Sequence, residues 1–346
     1  MSEPGSQPAL KTKRLLPAWT SRLNDFVAAL EWSPDGRHLA AASVSGELSL
    51  HDLADPQSPQ RWTAHGVGMG ALAWHPEGDY LASAGQDGKV CAWKPGDTGA
   101  LWTHQAGRVW VERIVWSPRT AGEPLLALAC GKQLQILRAD GTLAARGAAL
   151  ESTISDLCWY PLGPMVLTAS YGGLQAWDAA QAEKCKIYEW KGALWNCAWS
   201  PDGRWIAAGS QENAMHVWDA GTGEHLHMPG YQGKIRAVDW SPDGRWLGTG
   251  NGPDVLLWDC SGKGPGGTRP LMYGVHSEAV SVIQFQKPGP VFAVAGRDGK
   301  IALWQSGGGE EPLAVYVGTE EVCALRWSPD GKLLAAGTSS GVVMVF

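Results

Sequence analysis

Gly337-Thr338-Ser339-Ser340-Gly341 fits G-x-S-x-G, the spacing that raises a nucleophilic serine on a sharp turn. Such an elbow needs a strand running into a helix, and here Val342-Val343-Met344-Val345 follows instead. The segment reads as a turn between two strands. Gly262-Lys263-Gly264-Pro265-Gly266-Gly267 fits G-x-G-x-x-G with a lysine in reach of a phosphate. Phosphate loops rely on a helix N-terminus behind the glycines, whereas this run leads into Leu271-Met272-Tyr273. It reads as a plain connection. His225 and His227 stand two apart, so a strand would place both on one face, but no third metal ligand accompanies them in the sequence. They are expected to be solvated.

The seven cysteines are odd in number, widely spaced and without a C-x-x-C pair. That pattern implies reduced thiols in a cytoplasmic protein, with Cys158, Cys197 and Cys323 as small core residues. Lys11-Thr12-Lys13-Arg14 is the one basic cluster, and the net charge is −6, so nucleic acid is not an expected partner. No H-E-x-x-H, cysteine quartet or EF-hand loop occurs. The expectation is no catalytic residue, no metal and no cofactor.

The elements that would carry any other chemistry follow from composition. A 346-residue chain that is 44% hydrophobic can bury a sizeable core. No run approaches 18 apolar residues, so no membrane contact through a spanning helix is expected. Residues 1–12 are polar and lack the apolar segment of a secretory signal. They are expected to form a disordered tail before a single domain over 13–346. The 45 glycines demand many turns, and the 20 tryptophans demand many sheltered sites.

A repeat satisfies both demands. Trp32-Ser33-Pro34-Asp35-Gly36 recurs in full at Trp199, Trp240 and Trp327, with weaker copies at Trp74, Trp116, Trp159 and Phe285. These eight anchors lie 40 to 45 residues apart. Apolar residues five and two before each anchor, such as Val27 and Leu30, mark a buried strand whose alternation is broken by a bulge. A Pro-Asp-Gly turn, a second strand, a short turn such as Gln86-Asp87-Gly88-Lys89, and a third strand ending in Trp follow. A less regular fourth strand closes each unit. The last unit stops at Phe346 after three strands, so the run from Lys13 to Trp19 is expected to supply its fourth.

Four short strands per unit with a Trp-Asp ending resemble the WD-repeat β-propeller family over residues 13 to 346. The resemblance implies an all-β, eight-bladed propeller of four-stranded antiparallel blades, closed by the N-terminal strand on the last blade. It also implies a stabilising tetrad, which one unit matches in full: His65, Ser83, Asp87 and Trp93. Unit seven offers His276, Asp298 and Trp304 but no hydroxyl between Phe292 and Ala295.

In that family the usual partner site is the face formed by the loops entering the innermost strands. Positions six and four before the anchors, with the turn between second and third strands, place Phe26, Trp110, Glu112, Trp195, Lys234, Arg236 and Arg297 there. Exposed Trp and Arg are enriched in binding hot spots. The expected function is therefore a non-catalytic scaffold that binds another protein or peptide, as a monomeric ring alone or within a larger complex. The alternative is a propeller enzyme or small-ligand binder that uses the central channel. Its candidates are Arg113, Asp156 and Asn196, three residues before their anchors.

Overall fold

The computed structural model describes residues 12–309 and 311–346, so the tail expected over residues 1–12 falls almost wholly outside the described residues. Eight sheets succeed one another along the chain. Blade 1 is typical, with antiparallel strands at Val27–Trp32, His38–Ser43, Glu47–Asp52 and Asp55–Thr63. The innermost strands, Val27–Trp32 through Val322–Trp327, contact one another in sequence order, and the last meets the first. The result is a closed ring of eight blades.

Local chemistry explains the repeated strand-turn-strand unit. In blade 1 the Ser33 hydroxyl donates to Asp35 at 2.6 Å and accepts from the His38 amide at 2.9 Å. Asp35 also accepts the Arg37 amide, while Gly36 takes the positive φ of +71° that closes the reversal. Ser200 and Asp202, Ser241 and Asp243, and Ser328 and Asp330 repeat the same pair at 2.5, 2.5 and 2.7 Å. The broken alternation ahead of the anchor is a register shift in five blades, such as between Val27 and Ala29 and between Val111 and Arg113.

The anchor tryptophans join one blade to the next. Trp32 Nε1 donates to the Arg326 carbonyl across the ring closure at 3.0 Å. Trp74, Trp116, Trp159, Trp240 and Trp327 each donate in the same way to the blade before them. Phe285 has no such donor, and there the Asp239 carboxylate accepts the Phe285 amide at 2.7 Å instead. Trp199 Nε1 is buried without a partner. Fully buried alanines of the second strands, such as Ala40, Ala41 and Ala42, let neighbouring blades approach while the indoles fill the wedge between them. At the closure a Cβ on Gly337 would lie 2.4 Å from the Val27 side chain, so the last blade and the first fit only with glycine there.

Closure differs in detail from the sequence expectation. Trp19–Arg22, at the end of the expected run and beyond it, pairs antiparallel with Val342–Val345 as the fourth strand of blade 8. Lys13–Arg14 instead runs parallel to Ala314–Val317 and adds a fifth strand to blade 7. Blade 4 departs too: Met165–Asp178 serves as both second and third strand, pairing with Asp156–Trp159 and then with Glu183–Ala193. Gly172 and Gly173, both at positive φ, lie between its two halves.

Inside the blades the polar networks are varied. His65 Nδ1 meets Asp87 Oδ1 at 3.0 Å, His65 Nε2 meets Ser83 Oγ at 2.9 Å, and Trp93 Nε1 donates to Ser83 Oγ at 2.8 Å. In blade 7 His276 Nδ1 meets Asp298 at 2.8 Å, but its Nε2 is buried without a partner. Blade 6 solves the same problem with a phenol. Trp258 Nε1 donates to Tyr231 Oη at 2.9 Å, and that hydroxyl also meets Thr249 Oγ1 at 2.9 Å. Tyr231 stands nine residues before Trp240, as His65 stands before Trp74.

Candidate partner-binding face

Loops entering the innermost strands and turns between second and third strands meet on one face. The carbonyl six residues before the anchor accepts an amide from that turn in five blades. The pairs are Phe26 with Val44 (3.0 Å), Gly68 with Gln86 (2.9 Å), Ala193 with Gln211 (2.9 Å), Ala279 with Arg297 (3.0 Å) and Glu321 with Ser339 (2.9 Å). These bonds set side chains from two loops of each blade next to one another on a rigid rim. Among the described residues, blades 3, 4 and 6 lack the bond. Blades 3 and 6 carry Trp110 and Lys234 at that position.

Trp110 is 52% exposed, and Val109 beside it is 50% exposed. Glu112 is exposed on the same strand entry. Trp195 is half-buried. Lys234 Nζ lies 5.1 Å and Arg236 Cζ 5.7 Å from its ring centroid, so two cations of blade 6 hold an aromatic of blade 5. Phe26 is half-buried, and Arg297 is exposed and forms an ion pair with Glu321 at 3.5 Å. Trp195, Lys234 and Arg236 thus form one cluster. Phe26 of blade 1, Trp110 and Glu112 of blade 3, and Arg297 of blade 7 lie elsewhere on the same face rather than joining it in one continuous crescent.

The face also holds exposed apolar residues that the sequence reading missed. Val67 (59%) lies on an entry loop, Tyr171 (61%) in the strand Met165–Asp178 beside Gly172 and Gly173, and the less exposed Val44 on a turn. An apolar residue at a tight turn is the signal that could have found them, since such turns ordinarily carry polar residues.

Behind the face runs a central cavity of about 620 Å³ lined by all eight innermost strands. Three of its polar side chains bond across neighbouring blades, whereas the Ser281 hydroxyl is buried without a partner. Arg113 Nε lies 3.1 Å from Asp156 Oδ1, and Asp156 Oδ2 accepts the Cys197 amide at 3.1 Å. Burial raises the Asp156 carboxyl above its ordinary value, and Arg113 opposes that rise. Asn196 accepts the Gly209 amide at 2.8 Å and donates to the carbonyls of Ile235 and Arg236 at 3.0 and 3.2 Å. These three side chains tie blades 3, 4, 5 and 6 to each other.

Other sequence-flagged residues are placed as follows. Ser339 sits in the turn between Leu334–Thr338 and Val342–Val345, and Lys263 in the connection before Leu271–Gly274. His225 and His227 share one strand face and are exposed, but they do not simply face solvent. Their rings stack on buried His216 at 5.1 and 5.0 Å, and Trp190 of blade 4 covers all three. Burial and the two neighbouring histidines push His216 down to about 3. Among the described residues no group of His, Cys, Asp or Glu is arranged to hold a metal ion. No helix in them is long and apolar enough to cross a membrane.

Comparison with known proteins agrees with this architecture. The family model "WD domain, G-beta repeat" matches residues 16–52, 57–94, 184–219, 223–259, 268–305 and 310–346, more than half of the chain. The longest unmatched stretch, 95–183, contains Trp110, Glu112, Arg113 and Asp156. Two Arabidopsis thaliana proteins, "Cell division cycle 20.6, cofactor of APC complex" and "Cell division cycle 20.5, cofactor of APC complex", are each 33% identical over 94 residues. The match covers 27% of this chain and 21% and 20% of theirs, so it spans about a fifth of either relative. Among solved structures, the computationally designed Ika8 protein superposes with a TM-score of 0.78 at 17% identity, covering 94% of this chain and 97% of that one. That likeness concerns the fold alone.

Proposed function

Because the chain belongs to the WD-repeat family, we propose that it is a non-catalytic scaffold whose partner, a protein or peptide, docks on the face of the entry loops. One observation carries the reading: Trp110 and Val109 stand half-exposed on a rim that hydrogen bonds otherwise hold rigid. Exposing a large indole leaves apolar area in water that a partner would cover, at about 25 cal/mol per Å². The cation-held Trp195 offers a second anchor whose Lys234 and Arg236 favour an acidic group on the partner. The two Arabidopsis relatives, named as cofactors of a complex, support a role in assembly with other proteins. The channel reading is weaker, because Arg113, Asp156 and Asn196 each bond to a neighbouring blade.

Affinity capture with wild type and with a Trp110→Ala/Trp195→Ala/Arg236→Ala variant tests this. The variant should keep its melting profile and lose at least one partner that wild type recovers. A folded variant with the same partners would remove these residues from the site.

A further inference from the structure

Three features come together at the joint between blades 4 and 5. Its anchor indole, Trp199, has no partner, whereas six of the other seven anchors donate to the preceding blade. Its innermost strands are short, Asp156–Trp159 and Ala198–Trp199, as is Val238–Trp240 of blade 6, against six residues in blades 1, 2, 3, 7 and 8. It also brings two thiols together: Cys158 Sγ and Cys197 Sγ lie 3.5 Å apart, one from each blade. Both are free.

We propose that Cys158 and Cys197 are an oxidisable pair that closes into a disulfide and staples blade 4 to blade 5. A disulfide holds its sulfurs about 2.05 Å apart, so closure needs a shift of roughly 1.5 Å. Short innermost strands have few ladder bonds to resist that shift, and the joint lacks the indole clamp that would fix it. Access runs through the central cavity, which Cys197 lines.

The chemistry balances with hydrogen peroxide as oxidant. Cys158 is the less buried of the two and reacts first. Its sulfur attacks the peroxide, an S–O bond forms, the O–O bond breaks and water leaves, giving a sulfenic acid. The Cys197 sulfur, on losing its proton, then attacks the Cys158 sulfur. The S–S bond forms, the S–O bond breaks and a second water leaves. Two thiols lose two electrons and two protons to one peroxide. A low-molecular-weight disulfide serves equally, with two exchange steps and two released thiols. The hydrogen bond shared with Cys158 and burial hold the Cys197 thiol well above its ordinary value. The second step is therefore slow near neutral pH and speeds as pH rises.

The test uses the whole chain carrying Cys185→Ser, because Cys185 is exposed and would react on its own. The protein is treated with hydrogen peroxide or with oxidised glutathione, then alkylated, digested without reductant and analysed by mass spectrometry. The expected product is a linked peptide pair containing residues 158 and 197, lighter by two hydrogens. It should be absent from Cys158→Ser and Cys197→Ser variants. The unfolding midpoint should rise by roughly 5 °C or more on oxidation and return on reduction, since the bond closes a long loop. Cys158 ending as a stable sulfinic acid or glutathione adduct, with Cys197 still a free thiol, would overturn the proposal. So would a linked pair that joins either residue to a different cysteine.

Discussion

Val294→Thr should stabilise this protein, although a hydroxyl placed in an apolar core ordinarily destabilises it. In blade 7 Val294 pairs with Ala302 and Phe292 with Trp304, as in blade 2 Ser83 pairs with Cys91 and Leu81 with Trp93. Val294 therefore holds the register position of Ser83, inside a cluster with Trp304. Burial keeps His276 below its ordinary value, so the ring is neutral at pH 7. With Nδ1–H donating to Asp298, the partnerless Nε2 is an acceptor. A threonine hydroxyl there can donate to Nε2 and accept from the Trp304 indole, as Ser83 accepts from Trp93. Two hydrogen bonds are worth about 0.5–1.5 kcal/mol each, and satisfying a buried acceptor removes a cost of about 1–3 kcal/mol. Desolvating the new hydroxyl costs about 1–3 kcal/mol. The net is a gain of about 1–2 kcal/mol, or a midpoint higher by about 1–3 °C in a chain of this length. Calorimetry at pH 7 on wild type, Val294→Thr, His276→Phe and the double variant measures it. The gain should vanish when His276 is replaced. A Val294→Thr chain that is destabilised equally in both backgrounds would show that the hydroxyl does not complete the network.

Trp74→Phe should cost about 1 kcal/mol by removing the bond to the Glu31 carbonyl, while Trp199→Phe, which loses no bond, should cost clearly less in the same denaturant titration. His216 titrates lower when folded than unfolded, so its contribution is present above pH 6.5 and is lost as pH falls toward about 3. A His216→Leu variant should flatten the pH dependence of the midpoint across that window relative to wild type. A chain starting at residue 18 should stay cooperative in thermal unfolding. One starting at residue 23 lacks Trp19–Arg22, exposes the edge of Val342–Val345, and should melt lower and aggregate.

The repeat was legible because its signals are local. Ser33 and Asp35 bond within one turn, and the bulge shows in a spacing of five and two residues. The blade 2 residues His65, Ser83, Asp87 and Trp93 are spaced within one unit, so a family pattern could pick them out. Other features depend on which side chains meet across units. Tyr231 in place of histidine differs in chemistry while serving the same geometry. Trp190 over the histidines, and Cys158 beside Cys197, join residues of different blades with no shared motif. The closing strand starts only at Trp19, the end of the expected segment, while Lys13–Arg14 pairs in parallel with blade 7. On the face, the sequence-flagged positions carry exposed Trp110, Glu112, Lys234, Arg236 and Arg297 but half-buried Phe26 and Trp195. They did not predict that Lys234 and Arg236 would converge on Trp195.

The central claim is that a partner docks on the face that carries Trp110. A photoreactive amino acid in place of Trp110, or in place of exposed Glu123 at the opposite end of the same blade, can be cross-linked in cell extract and the products identified. The account predicts a discrete protein adduct from position 110 that position 123 does not give. Adducts from position 123 alone, or the same set from both positions, would contradict it.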